Sequence, residues 1–168
     1  MKKVRKTEEK DMASVMEIIN EAKAYFKTNN IPQWQNGYPN EETILQDMKN
    51  GFSYVLEEGE SVIGTAAIIT KADPDYIRIE GKWLNDDPYI VIHRIALKAS
   101  EKGKGLASSL LEYAYQLAGE TDLHNIRMDT HEDNLSMQRF LIKNGFHRCG
   151  KVYIRGTDPR IAYQKELA

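Results

Sequence analysis

Apolar residues recur in two rhythms along this chain, and each switch between them marks an element boundary. Val4 sits in a short β-like stretch, Lys3–Lys6. Over residues 11–27 the period becomes helical, with Met12, Val15, Met16, Ile19, Ala22 and Phe26 on one face and Asn29 and Asn30 as the stop. Two prolines and a glycine break up residues 31–39, which predicts a loop. Asn40 is a good N-cap for a second helix over 41–50, with Glu41 and Glu42 in its first turn and Gly51 ending it. Residues 52–56 and 61–70 read as a hairpin joined through Glu58, Gly59 and Glu60. Residues 71–88 are mixed: an Asp-Pro turn, a short strand or helical turn at Tyr76–Glu80, Lys82 and Trp83, then the turn-forming Asn85 to Pro88.

The densest apolar run is Tyr89–Leu97, rich in β-branched residues and read as a largely buried strand. A charged loop from Lys98 to Lys102 follows, then Gly103 and Gly105. From Leu106 the period is helical again, through Leu110, Leu111, Ala114 and Leu117. Ile126, Met128 and Thr130 alternate with Arg127, Asp129 and His131 in a further strand. Asn134 caps a helix that runs to Asn144, with Gly145 at its C-terminus. Two strands, 146–155 and 160–165, close the chain around a turn at 156–159. The order β-α-α-β-β-β-α-β-α-β-β predicts an α/β fold with a mixed, mostly antiparallel sheet flanked by helices. At 168 residues this is expected to be one domain, 1–168.

Composition narrows the function classes. A formal net charge of −2 gives no global basic field, so nucleic acid is not the expected partner. The single cysteine, Cys149, allows no intramolecular disulfide and fits a reducing, cytoplasmic setting. The N-terminal MKKVRKTEEKDM has basic residues with no apolar core behind them, so no signal peptide is expected. No apolar run reaches the roughly 20 residues of a membrane span. His131, Glu132 and Asp133 with His93 show no ligand-like spacing, so no metal is expected.

The strand–glycine turn–helix at 89–117 has the chemistry of an anion site. First-turn N–H groups lack intrahelical partners and the peptide dipoles leave about half a positive charge there. Glycine lets backbone approach the anion, and Lys102 and Lys104 add charge. No Gly-Lys-Ser or Gly-Lys-Thr occurs, which excludes a P-loop, and Ser108 stands where a dinucleotide fingerprint needs its third glycine.

Lys102-Gly103-Lys104-Gly105-Leu106-Ala107 resembles R/Q-x-x-G-x-G/A, the pyrophosphate-binding turn of the GNAT superfamily of N-acetyltransferases. Asn134-Leu135-Ser136-Met137-Gln138-Arg139-Phe140-Leu141-Ile142-Lys143-Asn144-Gly145-Phe146 resembles that family's second signature, N-x-x-A-x-x-F/L-Y-x-K-x-G-F. The two occur in the family's order, and the predicted element order is also the family's.

The resemblance implies acetyl-CoA as cofactor and acetyl transfer to a primary amine of a small molecule or peptide by direct attack on the thioester. Ile95, Ala96 and Leu97 would run beside the pantetheine arm. Lys102, Gly103, Lys104, Gly105, Leu106, Ala107 and Ser108 would hold the pyrophosphate, while Asn134, Met137, Phe140 and Lys143 would contact the cofactor from the second signature. Transfer requires that the amine lose a proton, that the oxyanion be stabilised and that the thiolate be protonated. A backbone N–H near Ile95 is the implied oxyanion donor. His93 is the first candidate base, since histidine titrates near neutrality. By position it is similar to one of the paired strand histidines of arylalkylamine N-acetyltransferases, the other position being Val91 here, and Glu80 is the second candidate.

Leu141 stands where many relatives carry the tyrosine that protonates the thiolate, so Tyr153, Tyr89 or water must do so, or the acid is dispensable. The alternative is a non-catalytic acyl-CoA-binding sensor or regulatory module. Trp34, Tyr38, Trp83 and Tyr76 could line an aromatic acceptor pocket or serve as structural anchors. The resemblance also admits a homodimer.

Overall fold

The computed structural model of the chain describes residues 1–168. Eight strands are present: β1 (Lys2–Lys6), β2 (Ser53–Glu58), β3 (Ser61–Ile69), β4 (Glu80–Gly81), β5 (Ile90–Leu97), β6 (Asn125–Thr130), β7 (His147–Ile154) and β8 (Asp158–Glu166). Four helices accompany them: α1 (Met12–Thr28), α2 (Glu41–Lys49), α3 (Ala107–Thr121) and α4 (Leu135–Lys143). The chain divides into two compact units, Met1–Ile68 with His93–Gln116 and Ile69–Ile92 with Leu117–Ala168.

In the first unit β1 pairs antiparallel with β2 and β2 with β3. A turn of 3-10 helix, Glu9–Asp11, leads into α1, and the buried Asp11 carboxylate takes two hydrogen bonds from Arg5, at 2.7 and 2.9 Å. The helix buries Val15, Ile18, Ile19 and Ala22 against Ile44, Val55 and Ala96, and Phe26 is buried in its last turn. Its inward face is therefore rotated from the expected one: Ile18 takes a central place, while Met12 and Met16 lie half-buried at the margin. Asn40 caps α2 as expected, with its Oδ1 accepting from the Thr43 N–H at 3.0 Å and its own N–H donating to Thr43 Oγ1 at 3.2 Å.

In the second unit β5 runs parallel to β6 through the pairs Ile90–Ile126 and Val91–Arg127, and the β6–β8, β8–β7 and β7–β4 pairs are antiparallel. Tyr76, Trp83, Tyr89, Val91, Val152 and Ala162 form its apolar core. Both alternatives offered for the region of Tyr76–Glu80 occur, a 3-10 turn at Pro74–Tyr76 and the two-residue β4, which brings the strands to eight. The final turn is shorter than expected, because Asp158 and Pro159 already pair with Ile154 and Tyr153 in the β7–β8 ladder. No helix is long and apolar enough to cross a membrane.

Candidate functional site

In the first unit β5 ends at Leu97, and the N–H of Lys98 donates to the Ile63 carbonyl of β3 at 2.8 Å. The expected loop is ordered into a 3-10 turn, Ala99–Glu101. Glu21 of α1 pins it, Oε1 accepting from the Ala99 N–H at 2.9 Å. Gly103 and Gly105 then adopt φ of +81° and +72°, a region costly for residues with a Cβ, and no atom lies within 4 Å of where that Cβ would project. Buried Leu106 seats the start of α3. Gly103, Lys104 and Gly105 are exposed and Ala107 is half-buried. The Ser108 amide, expected to face an anion, instead donates to the Gly105 carbonyl at 3.2 Å.

The two lysines of this turn have partners. Lys102 Nζ lies 3.8 Å from the Tyr25 ring centroid, and burial lowers its pKa against the opposing pull of Glu21. Lys104 Nζ donates to Glu101 Oε2 at 2.9 Å, and that carboxylate raises its pKa. Both lysines of the turn are thus already engaged, Lys104 in an exposed ion pair.

Before the turn, β5 carries a kink that the sequence pattern does not show. Arg94 has φ of +53° in mid-strand, a conformation costing roughly 1–2 kcal/mol for an L-residue. Its guanidinium grips Asp47 of α2 in a fork, Nε to Oδ2 at 2.7 Å and Nη2 to Oδ1 at 2.8 Å, and donates from Nη1 to the Tyr38 hydroxyl at 2.6 Å. His93 precedes the kink and Ile95 follows it, both half-buried; Ala96 is buried and Leu97 half-buried. Tyr38 is therefore tied through its hydroxyl to Arg94, a role its expected place in an aromatic pocket did not include. Trp34 packs edge-on against Phe26, ring centroids 5.5 Å apart, and joins the α1 core.

In the second unit the strand pairing of β4 with β7 sets Glu80 opposite Lys151. Glu80 and Tyr153, predicted separately, are brought together on one cleft: the Glu80 carboxylate is the main cause of the raised pKa of Tyr153, with burial second. Both line an open cleft of about 410 Å³ with Pro74, Asp75, Arg78 and Ile79. Trp83 is packed into the core of the second unit, the anchor alternative of its two expected roles. It is 8% exposed, its Nε1 donates to the Tyr76 carbonyl at 2.9 Å, and its ring lies 4.1 Å from the Arg127 guanidinium, which stacks equally on Tyr89. Tyr76 is likewise buried and donates its hydroxyl to Asp129.

Also in the second unit, Asn134 is buried, with its Oδ1 accepting the Met137 N–H at 3.2 Å to cap α4. Met137 and Phe140 are half-buried, Lys143 is exposed in the last turn and Leu141 is fully buried. His131 Nδ1 accepts the Asp133 N–H at 3.0 Å, a local turn, and burial lowers its pKa.

Comparison with known proteins adds to this geometry. The acetyltransferase (GNAT) family model matches residues 15–146. A GNAT-family acetyltransferase of Streptococcus agalactiae is 36% identical, with a TM-score of 0.89 over 99% of this chain and 96% of that one. A GNAT-family acetyltransferase of Listeria monocytogenes shares the fold at 21% identity, with a TM-score of 0.78 over 99% of this chain and 95% of the other. The Escherichia coli ribosomal-protein-S18-alanine N-acetyltransferase shares it at 13% identity, with a TM-score of 0.69 and coverage of 100% and 95%. No curated protein matches the chain.

Proposed function

The chain belongs to the GNAT family of acetyltransferases, and from that premise we propose that it moves an acetyl group from acetyl-CoA to a primary amine of a small molecule or peptide. The observation that carries this reading is the turn at 103–107, where two glycines in the left-handed region leave open space that a Cβ would fill. Such a turn fits a diphosphate. Gly103, Lys104, Gly105, Leu106 and Ala107 would hold it by backbone amides, with Lys102 beside them. Ile95, Ala96 and Leu97 supply the strand edge proposed for the pantetheine arm. When bound, the cofactor supplies the acyl group as an activated thioester.

The chain's own residues then handle position and protons. The N–H of Ile95, directly after the kink at Arg94, is the proposed donor to the acyl oxygen. An amine of pKa about 10 is almost wholly protonated at neutral pH, so a group on the protein must take its proton. His93 on β5 and Glu80 in its cleft are the two proposed acceptors. Leu141 offers no proton, and Tyr153, kept protonated beside the Glu80 carboxylate, is the proposed source of one. Leu141 also supports a second reading, an acyl-CoA sensor without turnover.

A panel of small and peptide amines with acetyl-CoA, followed by thiol release, tests the reading. Release that requires both substrates is expected, and tight acetyl-CoA binding with no release from any amine would favour the sensor. The pH profiles of His93→Ala and Glu80→Gln assign the base, since loss of the true one removes the fall in rate on the acidic side. If neither changes the profile, both are eliminated.

A further inference from the structure

We infer that Arg94, Asp47 and Tyr38 form a lock that holds β5 in its kinked conformation and so aims the Ile95 N–H, making all three positioning residues for acetyl transfer. This rests on the activity proposed above, but the lock itself is read from geometry. Arginine has no intrinsic preference for φ of +53°, and such outliers persist where surrounding contacts over-determine them. Three contacts do so here, all on one guanidinium. Asp47, 7% exposed on α2, takes the two-pronged bond at 2.7 and 2.8 Å. The Tyr38 hydroxyl takes the third at 2.6 Å.

The cation's side chain is only 11% exposed, and a buried guanidinium is held firmly where its fork is matched by a carboxylate. Moving residue 94 to an ordinary strand conformation would withdraw that fork from Asp47. It would also rotate the peptide group that joins Arg94 to Ile95. The side chain thus converts a helix and a loop into a fixed direction for one backbone N–H. Tyr38 adds a coupling, because the Pro- and Gly-punctuated segment 31–39 is fastened to the same residue that sets the kink.

Two conservative variants test this, Tyr38→Phe and Asp47→Asn, each read in two ways. The first reading needs no activity: the backbone amide and α-carbon resonances of residues 94–97, with the amide-to-α coupling of residue 94, which reports φ. The second is kcat against KM for acetyl-CoA. Both variants should shift or split the 94–97 resonances. They should lower kcat on the order of 10- to 100-fold, as expected for a catalytic group displaced by about 1 Å, while KM stays within about threefold because the turn at 103–107 is untouched.

Unchanged resonances in folded Tyr38→Phe would overturn the lock. So would a fall in kcat with 94–97 unmoved, since Tyr38 would then act by touching the acceptor, and so would shifted resonances with wild-type kcat. If Asp47→Asn fails to fold, Tyr38→Phe, which removes one hydroxyl, carries the test. If the wild-type protein shows no turnover, the proposed activity fails and the 94–97 resonances alone decide the lock.

Discussion

Gly81 and Gly150 face each other across the β4–β7 ladder so closely that neither can carry a side chain. A Cβ on Gly150 would collide with the Glu80 carbonyl and lie 2.9 Å from Gly81 Cα; one on Gly81 would collide with the Cys149 carbonyl. Both have φ in the range that disfavours L-residues, +130° and +148°. This pair of glycines is what lets the short β4 close on β7 and set Glu80 beside Tyr153.

Gly150→Ala should therefore lower stability by at least about 2 kcal/mol, a drop in Tm of roughly 4–8 °C for a chain of this size. The raised pKa of Tyr153 should fall with it, because Glu80 is displaced. Thermal melts and tyrosine titration check both, and an unchanged Tm would show that the strands separate without cost.

Tyr76 gives a pH dependence. Burial, then Asp129, hold its pKa above the ordinary 10.0. A folded-state pKa above the unfolded one means that the native state keeps its proton longer, so the contribution is full below about pH 10 and lost as pH rises beyond it. Melts between pH 8 and 11 should show an alkaline fall that is shallower in Tyr76→Phe. At neutral pH the same variant should be less stable by about 1–3 kcal/mol, because Asp129 loses a hydrogen bond. Equal alkaline slopes in the two proteins would remove Tyr76 from the account.

Glu101 holds Lys104 in an exposed ion pair at the turn. Glu101→Gln should free the ammonium and tighten acetyl-CoA binding by about two- to fivefold at low salt, with the gain vanishing as ionic strength rises. Calorimetry at two salt concentrations checks it. Weaker binding in the variant would mean that the pair itself shapes the turn.

What could be read from the sequence was local. The Asn40 cap of α2, the Asn134 cap of α4 and the Gly103–Gly105 turn each depend on residues within a few positions of one another, and each is present. The Lys104–Glu101 pair is equally local, since the two are three residues apart. The β5 kink was not legible. An apolar strand pattern runs straight through Arg94, and the groups that hold it, Asp47 and Tyr38, lie 47 and 56 positions away. Trp83 shows the same limit, for its place depends on a cation, Arg127, delivered by another strand. Sequence spacing fixes which residues share an element; register and long-range pairing decide which side chains meet.

The most direct test of the central claim is a calorimetric titration of acetyl-CoA into the wild-type protein and into Gly105→Glu. Position 105 has φ of +72° and faces open space, so glutamate adds backbone strain, bulk and a negative charge where the diphosphate is proposed to lie. Saturable binding to the wild type is expected, with a loss of at least about 100-fold in the variant. Equal affinity in the two would contradict a diphosphate site at this turn.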